Sequence, residues 1–227
     1  GYNSGATNTT GGNNTAIGDF ALNANTTANN NTAVGYAALL SNTTGASNTA
    51  VGAEAMDAAT TAHSSVCIGS ESGGAITTGV NNTAVGHQAL DATTTSSFNV
   101  AVGSGALGAN TESAQTAVGH NALHNVTTGH SNVAVGTDAG DVLTTGINNV
   151  ILGRSAQPSS ATVSNEVVLG SSSISALRCN TQTISSLSDA RDKTNVTDLP
   201  QGLDFITKLR PVKFKWASRD GNGKDGS

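Results

Sequence analysis

Side chains able to do chemistry are sparse in this 227-residue chain and unevenly placed. Five histidines, His63, His87, His120, His124 and His130, lie in the first 130 residues. Imidazole is a common metal ligand, but metal sites are built from donors at short, fixed spacing. No His-x-His pair occurs, so ordinary exposed histidines are expected and no metal is assigned. Adjacent threonines recur, as at Thr26-Thr27 and Thr43-Thr44, and flat threonine arrays can order water. Neighbouring residues on an extended chain point to opposite faces, and Gly or Asn often follows, so turn chemistry with a threonine ladder is the expected role. The acids are scattered, with no carboxylate pair suited to glycan hydrolysis. No phosphate-cradling loop or calcium-binding Gly/Asp repeat is present, and no cofactor is expected.

Charge divides the chain. Residues 1–153 hold eight Asp or Glu and no Lys or Arg; all ten basic residues lie from Arg154 onward, among seven acids. Gripping a phosphate backbone needs Lys or Arg, so the first two thirds bind neither nucleic acid nor an anionic membrane surface. Aromatic residues are 3% and charged residues 11% of the chain, against roughly 25% charged in an average domain, which argues against an aromatic-packed globular core. No apolar run approaches the ~18 residues of a membrane span, so no membrane insertion is expected.

An internal repeat accounts for this composition. Asn31-Thr32-Ala33-Val34-Gly35 returns as Asn48-Thr49-Ala50-Val51-Gly52 and Asn82-Thr83-Ala84-Val85-Gly86. The closing glycines run Gly18, Gly35, Gly52, Gly69, Gly86, Gly103, Gly119, Gly136, Gly153 and Gly170, seventeen apart except for one step of sixteen after Gly103. Gly1 falls in the same column, so the chain starts within a repeat and a longer protein is expected. Alanine precedes a Leu or Met column four residues past each glycine, as at Ala21-Leu22, Ala38-Leu39 and Ala55-Met56.

Each unit therefore reads as strand, glycine turn, short strand and Thr/Gly/Asn loop. Alternation along the strand separates the Val/Ile column (Ile17, Val34, Val51, Ile68) from the alanine column between. The bulkier column is the expected interior, and the small one the expected surface for close approach of another chain. Stacked units share one narrow core that no single unit can bury, giving a β-solenoid of ten coils. At ~4.8 Å per coil the rod is roughly 50 Å long. Cys67 and Cys179 stand about 6.6 coils apart, roughly 30 Å, beyond the ~7 Å limit for a disulfide, and are expected to be free thiols. His87 and His120 share the column just after the glycine, but Asp19, Tyr36, Ala53 and Ser70 share it too, which argues against a metal ring.

These Asn-Thr-Ala-Val-Gly units resemble the head repeats of trimeric autotransporter adhesins and the similar repeats of phage tail fibres. The resemblance covers residues 1–175 and implies a homotrimer of β-rolls around a common axis.

After Gly170 the period fades. A neck spans 176–188, followed by Ser188-Asp189-Ala190-Arg191-Asp192-Lys193-Thr194-Asn195-Val196. Leu203, Ile206 and Leu209 suit one face of a short helix, Pro211 ends it, and Val212-Lys213-Phe214-Lys215-Trp216 alternates like a strand. Ser188-Asp189, Arg191, Lys193 and Asn195-Val196, then Gly202-Leu203-Asp204-Phe205-Ile206 and Leu209-Arg210-Pro211-Val212, resemble the opening of the endosialidase-type intramolecular chaperone of tail fibres and tailspikes. The resemblance implies a module, beginning at 189–227 and incomplete at Ser227, that assembles the trimer. It also implies self-cleavage between Ser188 and Asp189, with Lys193 as base for Ser188. A serine hydroxyl needs such a base. A lysine serves only when burial or a neighbouring cation, here Arg191, lowers its pKa from about 10.4. Asp192 departs from the family's more usual apolar residue and would hold the proton on Lys193.

The expected fold is thus an all-β, seventeen-residue-repeat solenoid or β-roll, a homotrimeric fibre followed by the start of a small α+β chaperone module. The expected function is structural: a virion tail-fibre shaft, extracellular, facing a host cell-surface receptor such as a glycan or outer-membrane protein. A bacterial trimeric surface adhesin or extracellular filament is the alternative. Enzymatic activity is at most a single-turnover self-cleavage with no external substrate.

Overall fold

The computed structural model describes residues 1–178, and Gly1–Leu177 form one compact unit. Ten three-residue strands, β1 (Thr15–Ile17), β2 (Thr32–Val34), β3 (Thr49–Val51), β4 (Val66–Ile68), β5 (Thr83–Val85), β6 (Val100–Val102), β7 (Thr116–Val118), β8 (Val133–Val135), β9 (Val150–Leu152) and β10 (Val167–Leu169), make one parallel sheet in sequence order. Each strand pairs with its equivalent one repeat later, Ala33 opposite Ala50 and Val34 opposite Val51. The molecule is a β-solenoid, as the repeat predicts.

Between strands the expected second strand does not form. The Ala-Leu segment alternates in hand instead: Ala37 and Leu39 sit at φ 54° and 52°, and Glu54 and Met56 at 58° and 51°. These segments still pair coil to coil, Ala37 N–H donating to the Asp19 carbonyl at 2.9 Å and Leu39 N–H to that of Ala55 at 3.0 Å. The loop pairs likewise, Thr43 N–H donating to the Thr60 carbonyl at 3.0 Å. At the corner Gly52 adopts φ 141°, and a Cβ there would collide with the Gly69 carbonyl of the next coil. Only glycine accepts both the angle and the approach.

The core reverses the expected facing. Ala33, Ala50, Ala84, Ala101, Ala117 and Ala134 are fully buried, whereas Ile17 is 59% and Leu169 54% exposed. A seventeen-residue coil is so thin that its walls meet across one layer. The strand therefore presents alanine inward, against Ala21-Leu22, Ala38-Leu39 and their equivalents. The β-branched residues of the two flanking columns point out, and one enters the fully buried part of the alanine column only as Ile151, where the facing leucine column lapses to Gly140. Volume is conserved across columns. Where the Leu column lapses to Gly73, Ile76 and Cys67 fill the gap, lying 2.9 and 2.7 Å from where a Cβ would stand. Gly140 is covered in the same way by Ile151 and Leu123.

Buried asparagines close the backbone accounts. The residue before six of the ten strands, Asn31, Asn48, Asn82, Asn99, Asn132 or Asn149, is fully or almost fully buried. Its Oδ1 accepts the backbone N–H of its equivalent one coil on, as from Asn48 to Asn31 at 2.9 Å and from Asn149 to Asn132 at 3.0 Å. Its Nδ2 donates to a loop carbonyl fourteen residues ahead, Asn48 to Ala62 at 2.7 Å and Asn132 to Gly146 at 2.9 Å. Two exceptions have local causes. Asn99 Nδ2 has no partner in the short coil, where Asn110 takes the Glu112 carbonyl at 2.6 Å. Asn42 Oδ1 has none because the next residue in its own column is Ala59, which has no side-chain donor.

Replacing Asn132 by Ala orphans the Asn149 N–H and the Gly146 carbonyl. At ~1–3 kcal/mol for each buried unsatisfied group, the loss is roughly 2–5 kcal/mol. Urea denaturation followed by circular dichroism should show the midpoint falling accordingly, while exposed Thr61→Ala shifts it little.

Candidate functional site

The rod presents three kinds of surface, each built from columns of the repeat. The first is the outer side of the sheet, where two columns per coil stand outward. One holds Ile17, Val34, Val51, Ile68, Val85, Val102, Val118, Val135, Leu152 and Leu169. The other is threonine in β1, β2, β3, β5 and β7 and valine in β4, β6, β8, β9 and β10. Their fixed register makes a continuous apolar strip.

The second surface follows the glycine corner and gathers nearly all the charge. Asp19, Glu54, Asp57, Glu71, Asp91, Asp138 and Asp141, seven of the eight acids before Arg154, lie one, two or five residues past a column glycine. His87, His120 and His124 lie there too. His120 Nδ1 is 3.7 Å from Asp138 Oδ1, and His124 Nδ1 is 2.8 Å from the Gly105 carbonyl. Asp57 and Asp91 flank the side-chain gap at Gly74, 3.5 and 3.2 Å from where a Cβ would stand. Partial burial, with Glu54 and Asp91 adding repulsion, raises Asp57 above the ordinary carboxylate range. Partial burial and Glu71 raise Asp91 in the same way.

The third surface is the loop. The first threonine of most pairs spends its hydroxyl on the next coil, Thr43 Oγ1 donating to the Thr60 carbonyl at 3.1 Å and Thr60 Oγ1 to that of Thr77 at 3.2 Å. The second is exposed. The threonines thus serve turns and a ladder. His63 and His130 each lie beside the serine that follows them, at 3.4 and 3.1 Å.

None of these surfaces holds an activated nucleophile among the described residues. Cys67 is buried in the alanine column, and burial pushes its thiol up to about 12, so it stays protonated and inert. Nor do three His, Cys, Asp or Glu side chains converge as a metal site among the described residues. Ser188, Asp189, Arg191, Lys193 and Cys179 lie outside the described residues, as do most of the neck and the helix and strand expected after it. Sequence reasoning missed two features: the outward facing of the valine strip, and a contact row of Tyr2, Phe20 and Tyr36 just after the first three glycines. Writing the repeats one under another would have exposed the row.

Residues 188–226 match the family model described as chaperone of endosialidase. No curated protein and no solved structure matches the chain. The match begins at Ser188, where the motif resemblance puts the cleavage. A parallel β-solenoid leading into such a segment fits a tail fibre with a chaperone-type C-terminus.

The raised carboxylates give a signed prediction. The folded chain holds protons on Asp57 and Asp91 to higher pH than the unfolded chain does. Stability from these groups is therefore greatest at low pH and is lost as pH rises from the ordinary carboxylate range through their raised values. The double variant Asp57→Asn/Asp91→Asn should melt a few degrees higher than the parent at pH 7 and together with it at pH 3, measured by calorimetry.

Proposed function

We propose that this chain is part of a homotrimeric phage tail-fibre shaft that carries a host-recognition surface, with a C-terminal segment that aligns three chains and then releases itself. The observation that carries the reading is an uninterrupted apolar sheet face, ten strands long, on the same chain as a chaperone-of-endosialidase match. Two outward columns exposing on the order of 1,000 Å² exceed the few hundred Å² of apolar patch usual on a soluble monomer. They also reach the ~800 Å² per partner of a stable interface. Further copies of the chain suit this strip, because identical columns stacked at one spacing meet identical columns.

The neck at 176–188 and the module from 189 onward supply alignment and release. Net cleavage adds one water across the Ser188–Asp189 bond, leaving a carboxylate on Ser188 and a new amino group on Asp189. Lys193 takes the Ser188 hydroxyl proton and must be neutral to do so; Arg191 lowers its pKa and Asp192 raises it. Once the module has gone, the rod cannot readily retrace its assembly and is kinetically stable. The working location is the virion tail, outside the cell, facing a surface glycan or outer-membrane protein of the host.

Two measurements test this. Intact mass of the assembled protein under denaturing conditions should show a chain ending at Ser188. Ser188→Ala and Lys193→Ala should leave the chain unbroken, and Asp192→Leu should speed the cut. An unbroken chain in the parent removes the self-release step. Separately, charges placed on the strip by Ile68→Asp/Val135→Asp should turn a three-chain species into single chains by light scattering. A parent that runs as a single chain removes the assembly reading.

A further inference from the structure

The described residues contain four aromatic side chains, Tyr2, Phe20, Tyr36 and Phe98, and three of them touch. Tyr2 and Phe20 have ring centroids 5.5 Å apart with planes at 81°, and Phe20 and Tyr36 are 6.1 Å apart at 87°. Both tyrosine planes thus stand nearly perpendicular to the phenylalanine between them.

The fold does not ask for these rings. Tyr2 is 68% and Tyr36 53% exposed, so neither contributes to the core. In later coils the tyrosine column holds Ala53, Ser70, Ser104 and Thr137 with the coil-to-coil pairing unchanged. Phe20 sits at φ 62°, a left-handed angle that bulky residues disfavour. Its column elsewhere carries Ala37, Glu54, Gln88 and Asn121 at similar angles. Two exposed tyrosines and a half-buried phenylalanine stand in consecutive coils, at positions that small or polar residues fill without harm.

Between the two tyrosines, in the same column, stands Asp19. It is exposed, and its Oδ1 accepts the backbone N–H of Tyr2 at 2.8 Å, which fixes the carboxylate beside the rings. Aromatic faces carry negative potential, and a cation within about 6 Å of a ring centroid is attracted to it. Phe20 lies 5.5 Å from the Tyr2 ring and 6.1 Å from the Tyr36 ring, so a cation seated beside Phe20 has a tyrosine ring next to it as well, and the carboxylate adds a full negative charge. No Lys or Arg lies before Arg154 to occupy the site or repel a positive guest.

We propose that Tyr2, Asp19, Phe20 and Tyr36 form a binding site for an alkylated organic ammonium group. A compact trimethylammonium suits it best, because methylated nitrogen spreads its charge over an apolar surface that aromatic rings can cover. The guest comes either from choline-bearing surface polymers or lipids, or from methylated lysine of a protein. The site makes no use of the apolar strip or the C-terminal segment and stands independently of the assembly reading.

The chain has only two tyrosines, Tyr2 and Tyr36, so tyrosine-labelled protein reports this site alone by NMR. Titration of the full chain with choline should shift both ring signals saturably in the millimolar range. The uncharged carbon analogue 3,3-dimethylbutan-1-ol should bind roughly two- to five-fold more weakly, the difference that a cation–π contact at an exposed site makes. Asp19→Asn and Phe20→Ala should each weaken choline binding several-fold with an unchanged circular dichroism spectrum. Phosphocholine and Nε-trimethyl-lysine then distinguish the sources by which binds tighter. Equal binding of choline and its neutral analogue, a flat choline titration, or stronger shifts from an unmodified neutral oligosaccharide each overturn the proposal. So does a change in the number of associated chains in Tyr36→Ala, since the rings would then be an interface.

Discussion

A coil of seventeen residues is too thin to satisfy its own backbone. It has no room for a helix or a paired strand within a turn, so apart from short turns such as Asn42 N–H to the Leu39 carbonyl, most peptide groups find their partner in an adjacent coil, one repeat away. That constraint accounts for the glycine corner at φ near 140°, where neighbouring chains approach too closely for a side chain. It also accounts for the asparagine ladder. At the entrance to each strand the backbone changes direction, leaving one N–H and one loop carbonyl without a backbone partner. A carboxamide offers an acceptor and a donor from one short side chain, and Asn132 uses both, toward Asn149 and Gly146. Serine at Ser65 keeps the acceptor half, taking the Asn82 N–H at 3.2 Å, and donates its hydroxyl to the nearby His63 carbonyl at 3.4 Å rather than to a loop carbonyl fourteen residues ahead. Gln115 keeps both, bonding the Gly129 carbonyl and accepting from Asn132.

The same thinness decides what faces where. Period, strand positions and parallel pairing were legible because glycine, asparagine and alanine recur at fixed phase, and each recurrence has a backbone reason. The facing was not legible from hydrophobicity. Ranking Val34 above Ala33 by size puts valine inside, yet only alanine fits between walls in direct contact. The second strand was misread for a related reason: Ala38-Leu39 has an extended, apolar look, while Ala37 and Leu39 alternate into left-handed angles to turn the chain round so small a section. At the C-terminal end, the motif from Ser188 to Val212 was legible as a family resemblance, and the family match from Ser188 agrees with it. The placement of Ser188 against Lys193 is not something spacing alone can supply.

A rod whose bulky residues face out has moved its association chemistry to the surface. The apolar strip is therefore a consequence of core geometry: valine excluded from a thin core has to stand on the surface. Most charged residues before Arg154, and three of the four aromatic residues among the described ones, keep to the corner columns, where substitution disturbs neither ladder nor core. Variation in the core and the ladder is compensated locally, as by Ile76 and Cys67 at Gly73, whereas variation at the corner needs no compensation, and that surface is the one available to evolve recognition.

Register is the problem such a strip cannot solve. Its inner column is Val, Ile or Leu throughout, so any whole-coil offset between chains still sets aliphatic against aliphatic. Its outer column alternates Thr with Val, residues of nearly the same shape, so an offset costs a few hydroxyl contacts. The one irregular coil gives no help. The step of sixteen between Gly103 and Gly119 removes its residue from the connecting segment, while Val100, Ala101 and Val102 still pair squarely with Thr116, Ala117 and Val118. The differences along the outward columns, Thr for Val and Val for Ile or Leu, are too slight to single out one coil. Chains that associate through this face must therefore take their alignment from outside the repeat, and a folding module at one end, needed once and then dispensable, meets that requirement.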